Sequence, residues 1–173
     1  MNLAVLSPAT PIDEKERLAA LYRLDIVDTP PEDKYDEITN IACDEFEVCT
    51  SMLTLIDSDR QWFKSATGLD AKETPREIAL CAHTVLQEGC FIVEDALLDT
   101  RFADHPLVVA EPHFRFYAGC PIHDPTGFRI GSLCIIHTSP RHFDCIDSAK
   151  LHELAKIAEG EIERAYINSL ARH

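Results

Sequence analysis

Basic side chains are scarce: 16 Lys and Arg stand against 30 Asp and Glu, for a net charge of −14. A surface of that sign repels phosphate backbones and anionic lipid headgroups, which argues against nucleic acid or a membrane surface as partner. Long apolar runs are missing too. No stretch approaches the ~20 residues of a membrane span. Met1 to Pro11 lacks the basic-then-apolar order of a secretion signal, so a cytoplasmic location is expected. There is no Gly-rich phosphate loop, no Ser nucleophile elbow and no His-Glu-x-x-His. The seven cysteines, at 43, 49, 81, 90, 120, 134 and 145, include no Cys-x-x-Cys pair and are odd in number. Metal-finger and redox-pair templates therefore fail, and reduced core thiols are expected.

What is present is ordinary globular usage, 46% hydrophobic and 27% charged in 173 residues. That suits one domain, with room for a helical extension at an end. Thr10-Pro11 followed by Asp13 predicts a helix from about Pro11 to Leu24, with Leu18, Leu21 and Leu24 on its apolar side. Thr29-Pro30-Pro31-Glu32 repeats the start signal for a second helix with a stripe of Tyr35, Ile38, Ile41, Ala42 and Phe46. Ser51 to Ile56 and Gln61 to Ser65 flank the turn residues Asp57 to Arg60 and read as a hairpin. Thr74-Pro75-Arg76-Glu77 has the form of a capping box, predicting a helix from Pro75 to about Gln87 that carries Ile78, Cys81, Ala82 and Val85. A short strand at Cys90 to Glu94 and an irregular or helical crossover to Glu111 follow. Phe114 to Ile122 alternates, placing Arg115, Tyr117 and Gly119 on one face and Phe114, Phe116, Ala118 and Cys120 on the other. Asp124 to Gly127 then turns the chain into a partner strand, Phe128 to His137. A last helix begins at Asp144, with Leu151, Leu154, Ala155, Ala158, Ile162 and Ala165 on one stripe, and is about 39 Å long. Hairpin-linked strands with helices at both chain ends predict an α+β domain. Its antiparallel sheet has the terminal helices on one face and a helix plus crossover over a cavity on the other.

These residues resemble a GAF domain of the type found in bacterial sensor histidine kinases and diguanylate cyclases. The resemblance is carried in order by Arg17-Leu18, Leu21 to Glu32, Asp57 to Lys64, Gly68-Leu69, Thr74 to Glu77, Cys81-Ala82-His83, Asp95, Asp99 to Phe102, Pro106 to Val108, Arg115 to Gly119, Gly131 to Cys134 and Pro140-Arg141. It implies a five- or six-stranded antiparallel sheet sandwiched by helices, a small-molecule or protein-binding sensor role, and dimerisation through terminal helices. GAF-like domains bind cyclic nucleotides, bilins, haem and other small molecules, so no particular cofactor follows. The sequence departs from the pattern at Leu80, where Phe is usual, and at His105, where Asn is usual. Both fall at the expected pocket wall, which points to a ligand unlike that of relatives.

The candidate ligand-binding residues are Cys81, His83, Asp95, Arg101, Arg115, Tyr117 and Trp62. Cys81 and His83 diverge by roughly 200° on a helix, so only one faces a given point. They lack further metal ligands at recognisable spacing, and Ala82 separates them from the Cys-His of bilin-attaching relatives. A structural, hydrogen-bonded histidine is the simpler reading. Arg115 is either held by a carboxylate such as Asp57 or Asp95 or, with Arg101 or Arg76, forks an anionic ligand. Trp62 and Lys64 share a strand face, where they either grip a ligand or lie on a solvated edge.

The expectation is therefore a single domain over 1–173, with a helical leader over 1–32 and a long helix over 144–173. It senses an unidentified small molecule and relays the change, as a homodimer, to a kinase or diguanylate cyclase output domain. Because this sequence stops at His173, the output domain either lies beyond it or is replaced by a separate partner. Two other readings compete. One is a cysteine-based redox enzyme resembling free methionine sulfoxide reductase, using Cys81, Cys90, Cys120 and Cys134. The other is a ligand-free dimerisation module, built on the narrow small-residue stripe of the last helix.

Overall fold

The computed structural model describes residues 7–172, so the first six residues of the expected leader and His173 lie outside the described residues. The elements run α1 (Glu14–Arg23), α2 (Asp33–Phe46), β1 (Thr50–Ile56), β2 (Arg60–Thr67), β3 (Glu73–Pro75), α3 (Cys81–Thr84), β4 (Phe91–Val93), α4 (Pro106–Val109), β5 (Phe116–His123), β6 (Arg129–His137) and α5 (Cys145–Leu170). The six strands form one antiparallel sheet in the order β3-β2-β1-β6-β5-β4. This is the α+β fold that the resemblance implies, with six strands.

Two apolar cores lie on opposite faces of that sheet. On one face α1, α2 and α5 cover Leu53, Leu55, Phe116, Ala118, Leu133 and Ile135. On the other, residues 79–114 cover Met52, Ile56, Phe63, Tyr117 and Cys134. The helix face follows its sequence signals closely. Asp144 caps α5 by accepting from the backbone N–H groups of Ile146 and Asp147, a reciprocal capping box that fixes where the helix starts. Leu151, Leu154, Ala155, Ala158 and Ile162 then recur at helical spacing and are buried. The inward packing thus continues past Gly160 as far as Ile162, while Ile157, Ile167 and Leu170 stay exposed.

Several elements differ from expectation. In place of a helix at Pro75 to Gln87 stand the short strand β3, a 3-10 turn at Arg76–Ile78 and the single turn of α3. Thr74 does not cap. Its hydroxyl accepts from Gln61 Nε2 at 3.1 Å while the two residues pair across β2 and β3, and Ala79 is extended at φ −82° and ψ 119°. The first helix starts at Glu14 rather than Pro11, because residues 12 and 13 form a turn closed by the Glu14 N–H on the Pro11 carbonyl. Ile41, set 100° from Ala42 around α2, is 51% exposed, and Thr39 and Cys43 are buried instead. Phe114 precedes β5 and, after the left-handed His113 (φ 56°), packs on the face of Tyr117 rather than that of Phe116.

Candidate functional site

The crossover face does not close. A cavity of about 220 Å³ lies between the sheet, the 74–81 segment and the crossover. Met52, Phe63 and Ile136 form its floor, Ile78, Leu80 and Cys81 one wall, and Leu107, Pro112 and Phe114 the roof. Gly68 lies in the wall with φ +80°, and a Cβ there would stand 1.9 Å from the Cys49 carbonyl oxygen, so only glycine lets this bend approach β1. Wall and roof are clasped by His105, which is buried. Its Nδ1 accepts from the Leu107 N–H at 3.1 Å, which leaves the proton on Nε2, donated to the Ile78 carbonyl at 2.8 Å. Burial lowers the pKa of this imidazole, and the Ile78 carbonyl offsets part of that effect.

The structure does not bring the seven candidate residues together. Cys81 lines the cavity. Tyr117 lies directly behind it, fully buried, with its hydroxyl 2.7 Å from Thr84 Oγ1 and donating to Cys81 Sγ at 3.2 Å. Trp62 packs on the opposite face among the residues under the helices. Its neighbour Lys64 is buried there too, donating to Thr29 Oγ1 at 2.7 Å and the Pro30 carbonyl at 2.8 Å, so neither forms a solvated edge. His83 stacks on Phe91 at 5.8 Å and meets Phe102 edge-on at 5.1 Å, and the Arg101 guanidinium lies over both phenyl rings at 5.2 Å. Arg101 pairs with Asp99 at 2.7 Å. Asp95 accepts from the Leu97 N–H at 3.1 Å in a turn. Arg115 meets neither Asp57 nor Asp95. Its guanidinium donates to the carbonyls of Val108, His113 and Phe114, tying the crossover to the entry of β5.

The cysteines divide by face. Cys90, just before β4, and Cys120 of β5 form a disulfide on the helix face, so these two depart from the reduced core thiols expected for most of the cysteines. Cys49 and Cys145 are exposed rather than in the core. Cys81 and Cys134 are buried as free thiols on the cavity face. Burial pushes Cys134 well above the ordinary thiol range, whereas hydrogen bonds from Cys134 and Tyr117 overcome the same burial at Cys81 and make it the more acidic of the two. Among the described residues no group of three or more His, Cys, Asp and Glu is placed to hold a metal ion. No helix among them is long and apolar enough to cross a membrane.

Leu80 lies in the cavity wall and His105 against it, where the departures from the family pattern placed them, whereas Gln61 as a wall residue and the clasping bonds of His105 were not legible in the sequence.

A family model for the GAF domain matches residues 30–162. A cyclic di-GMP phosphodiesterase of Pseudomonas aeruginosa is 36% identical over 160 residues, a match that covers 86% of this chain. The chain spans only 27% of the length of that curated relative. Among solved structures, the GAF domain of a phosphoenolpyruvate-protein phosphotransferase from Coxiella burnetii superposes with a TM-score of 0.64 at 18% identity, over 90% of this chain and 98% of that one. Free methionine-R-sulfoxide reductase from Neisseria meningitidis, solved with its substrate, superposes with a TM-score of 0.63 at 20% identity, over 96% and 98%. At those identities the structural likeness speaks for the fold.

Proposed function

Because this chain belongs to the GAF domain family, a family of signalling and sensor domains, we propose that it is a regulatory sensor which takes a small molecule into the cavity beneath the crossover. The observation that carries this reading is the cavity itself, roofed by short segments held by side-chain bonds rather than by a packed helix. Its floor strands β1 and β6 carry, on their reverse face, Leu53, Leu55, Leu133 and Ile135 in the core shared with α2 and α5. A ligand that shifts the floor thereby biases the pose of α5. The exposed Ile157, Ile167 and Leu170 of α5 and Ile41 of α2 supply apolar positions for a second copy, and α5 then carries the change toward an output domain. The relative named for cyclic di-GMP hydrolysis supports an output enzyme of cyclic dinucleotide turnover, alongside the kinase and cyclase types. Native mass spectrometry of freshly purified protein, set against its denatured mass, tests the reading. A dimer carrying a non-covalent mass excess is expected. An empty chain that no small molecule stabilises thermally overturns the ligand, and a monomer at micromolar concentration overturns the dimer.

One observation favours a second reading, thiol chemistry: Cys81 lies in the cavity wall with Cys134 behind it. The disulfide of Cys90 and Cys120 lies across the sheet and offers no resolving thiol there. Turnover of free methionine sulfoxide with a thiol reductant, abolished by Cys81→Ser, would establish the enzyme, and its absence in the parent chain would remove that reading.

A further inference from the structure

The cavity is uncharged in a strongly charged protein. Among the described residues that line it there is no Lys, Arg, Asp or Glu, although these types make up 27% of the chain. Apart from the His137 imidazole and the Cys49 and Cys81 thiols, nothing in the lining could answer a charge, so an ionic ligand entering here would lose its hydration with little in return, the costly case for any buried ion. The arginines best placed to answer an anion are already engaged. Arg76 is held by Glu14 and the Asp57 carbonyl, Arg101 by Asp99, and Arg115 by three carbonyls.

Size narrows the ligand further. An apolar cavity of roughly 150 Å³ accepts benzene. The 220 Å³ here admits one substituted ring and falls short of the space that drug-sized ligands take. Polarity supplies the remaining constraint. Gln61 lies in the wall and is 5% exposed. Its Nε2 donates to Thr74 Oγ1 at 3.1 Å, while its Oε1 is buried with no hydrogen-bond partner, as is Nδ1 of the half-buried lining residue His137. A buried carbonyl oxygen left in that state is unfavourable, and an incoming donor relieves it.

We propose that the cavity binds a small uncharged ring compound bearing an O–H or N–H donor, with the ring against Met52, Phe63, Leu80 and Phe114 and the donor on Gln61 Oε1. This rests on the small-molecule reading above and adds the chemical class.

The test titrates the whole chain with phenol, anisole, toluene and benzoate, which share one ring and differ in donor, acceptor and charge. Affinities come from chemical-shift titration. Phenol is expected to bind about tenfold tighter than anisole or toluene, the size of one net hydrogen bond, and benzoate at least tenfold weaker than phenol. Phenol alone should move the side-chain amide resonances of Gln61, a readout that needs no variant. Gln61→Met should bring phenol down to the level of toluene. Thr74→Val, which frees the amide to turn, should narrow the same gap. Equal binding of phenol and toluene, or benzoate binding as tightly as phenol, overturns the inference and leaves the sensor reading standing. The same holds if cyclic di-GMP binds and the uncharged rings do not. If neither the rings nor any charged probe binds, both fall.

Discussion

The two faces of one sheet are covered in opposite ways. On the helix face, elements of 14 and 26 residues lay continuous apolar stripes against the strands, and Phe143 fills the seam between Phe46 and Phe116 at centroid distances of 5.5 and 5.4 Å. Among the described residues of the cavity face no helix exceeds 4 residues, and the cover is held by single side chains bonded to backbone, His105 and Arg115 above all. A long helix offers ridges every three or four residues and closes the gap beneath it. Short turns anchored at a few points span the strands without filling the space. The difference teaches that the hole is a consequence of how the cover is built, since both faces share the same strands.

The comparison can be broken or sharpened by measurement. The largest effect should come from the ladder both faces share. At Gly131 an added Cβ would stand 1.9 Å from the Thr54 carbonyl, so Gly131→Ala forces β1 and β6 apart. Loss of the folded state is expected, read as loss of the cooperative urea transition. Next, Phe46→Ala opens a void in a filled core and should lose about 3–5 kcal/mol, whereas Leu80→Ala only enlarges an existing one and should lose under about 2 kcal/mol. Equal losses from urea midpoints would show the two faces to be packed alike.

Acid should act through the leader. Burial alone would raise the pKa of Glu14, but hydrogen bonds from Arg17 and Arg76 bring it down to about 2. A depressed carboxylate stabilises the fold above its unfolded value and ceases to do so as pH falls through the folded one. About 1–2 kcal/mol should therefore disappear between pH 4.5 and 2, after allowance for partial solvent screening. Glu14→Gln should flatten that decline. The smallest effect belongs to the clasp. With its pKa lowered, His105 favours the fold when neutral, so its contribution fades as pH drops below about 6.5. Between pH 7.5 and 5.5 the parent chain should lose about 2 °C in Tm, and His105→Asn, which keeps an acceptor for the Leu107 N–H, should lose less.

Legibility followed the same division. α5 could be read because the Asp144 cap and its stripe are local, and the β1–β2 hairpin because its turn residues are contiguous. The Thr74 box misled because a hydroxyl able to cap a helix found Gln61, thirteen residues back, instead. Phe114 misled because alternation holds only within a strand, and it stands before one. Of the candidate site, the cavity's place between sheet and crossover was legible from element order. Its chemistry was not, because the arginines offered as clamps satisfy Glu14, Asp99 and backbone carbonyls, pairings that depend on which loops the fold brings together.

The strand order also bears on how the chain can be made. Two sheet halves, β3-β2-β1 and β6-β5-β4, meet only along β1 and β6, which lie nearly eighty residues apart in sequence. Emerging from a ribosome, the first half must wait, its inner edge unpaired, until Arg129–His137 arrives to zip the centre. The last strand synthesised is the keystone, so the protein acquires its cavity floor and its cooperative stability in one late step.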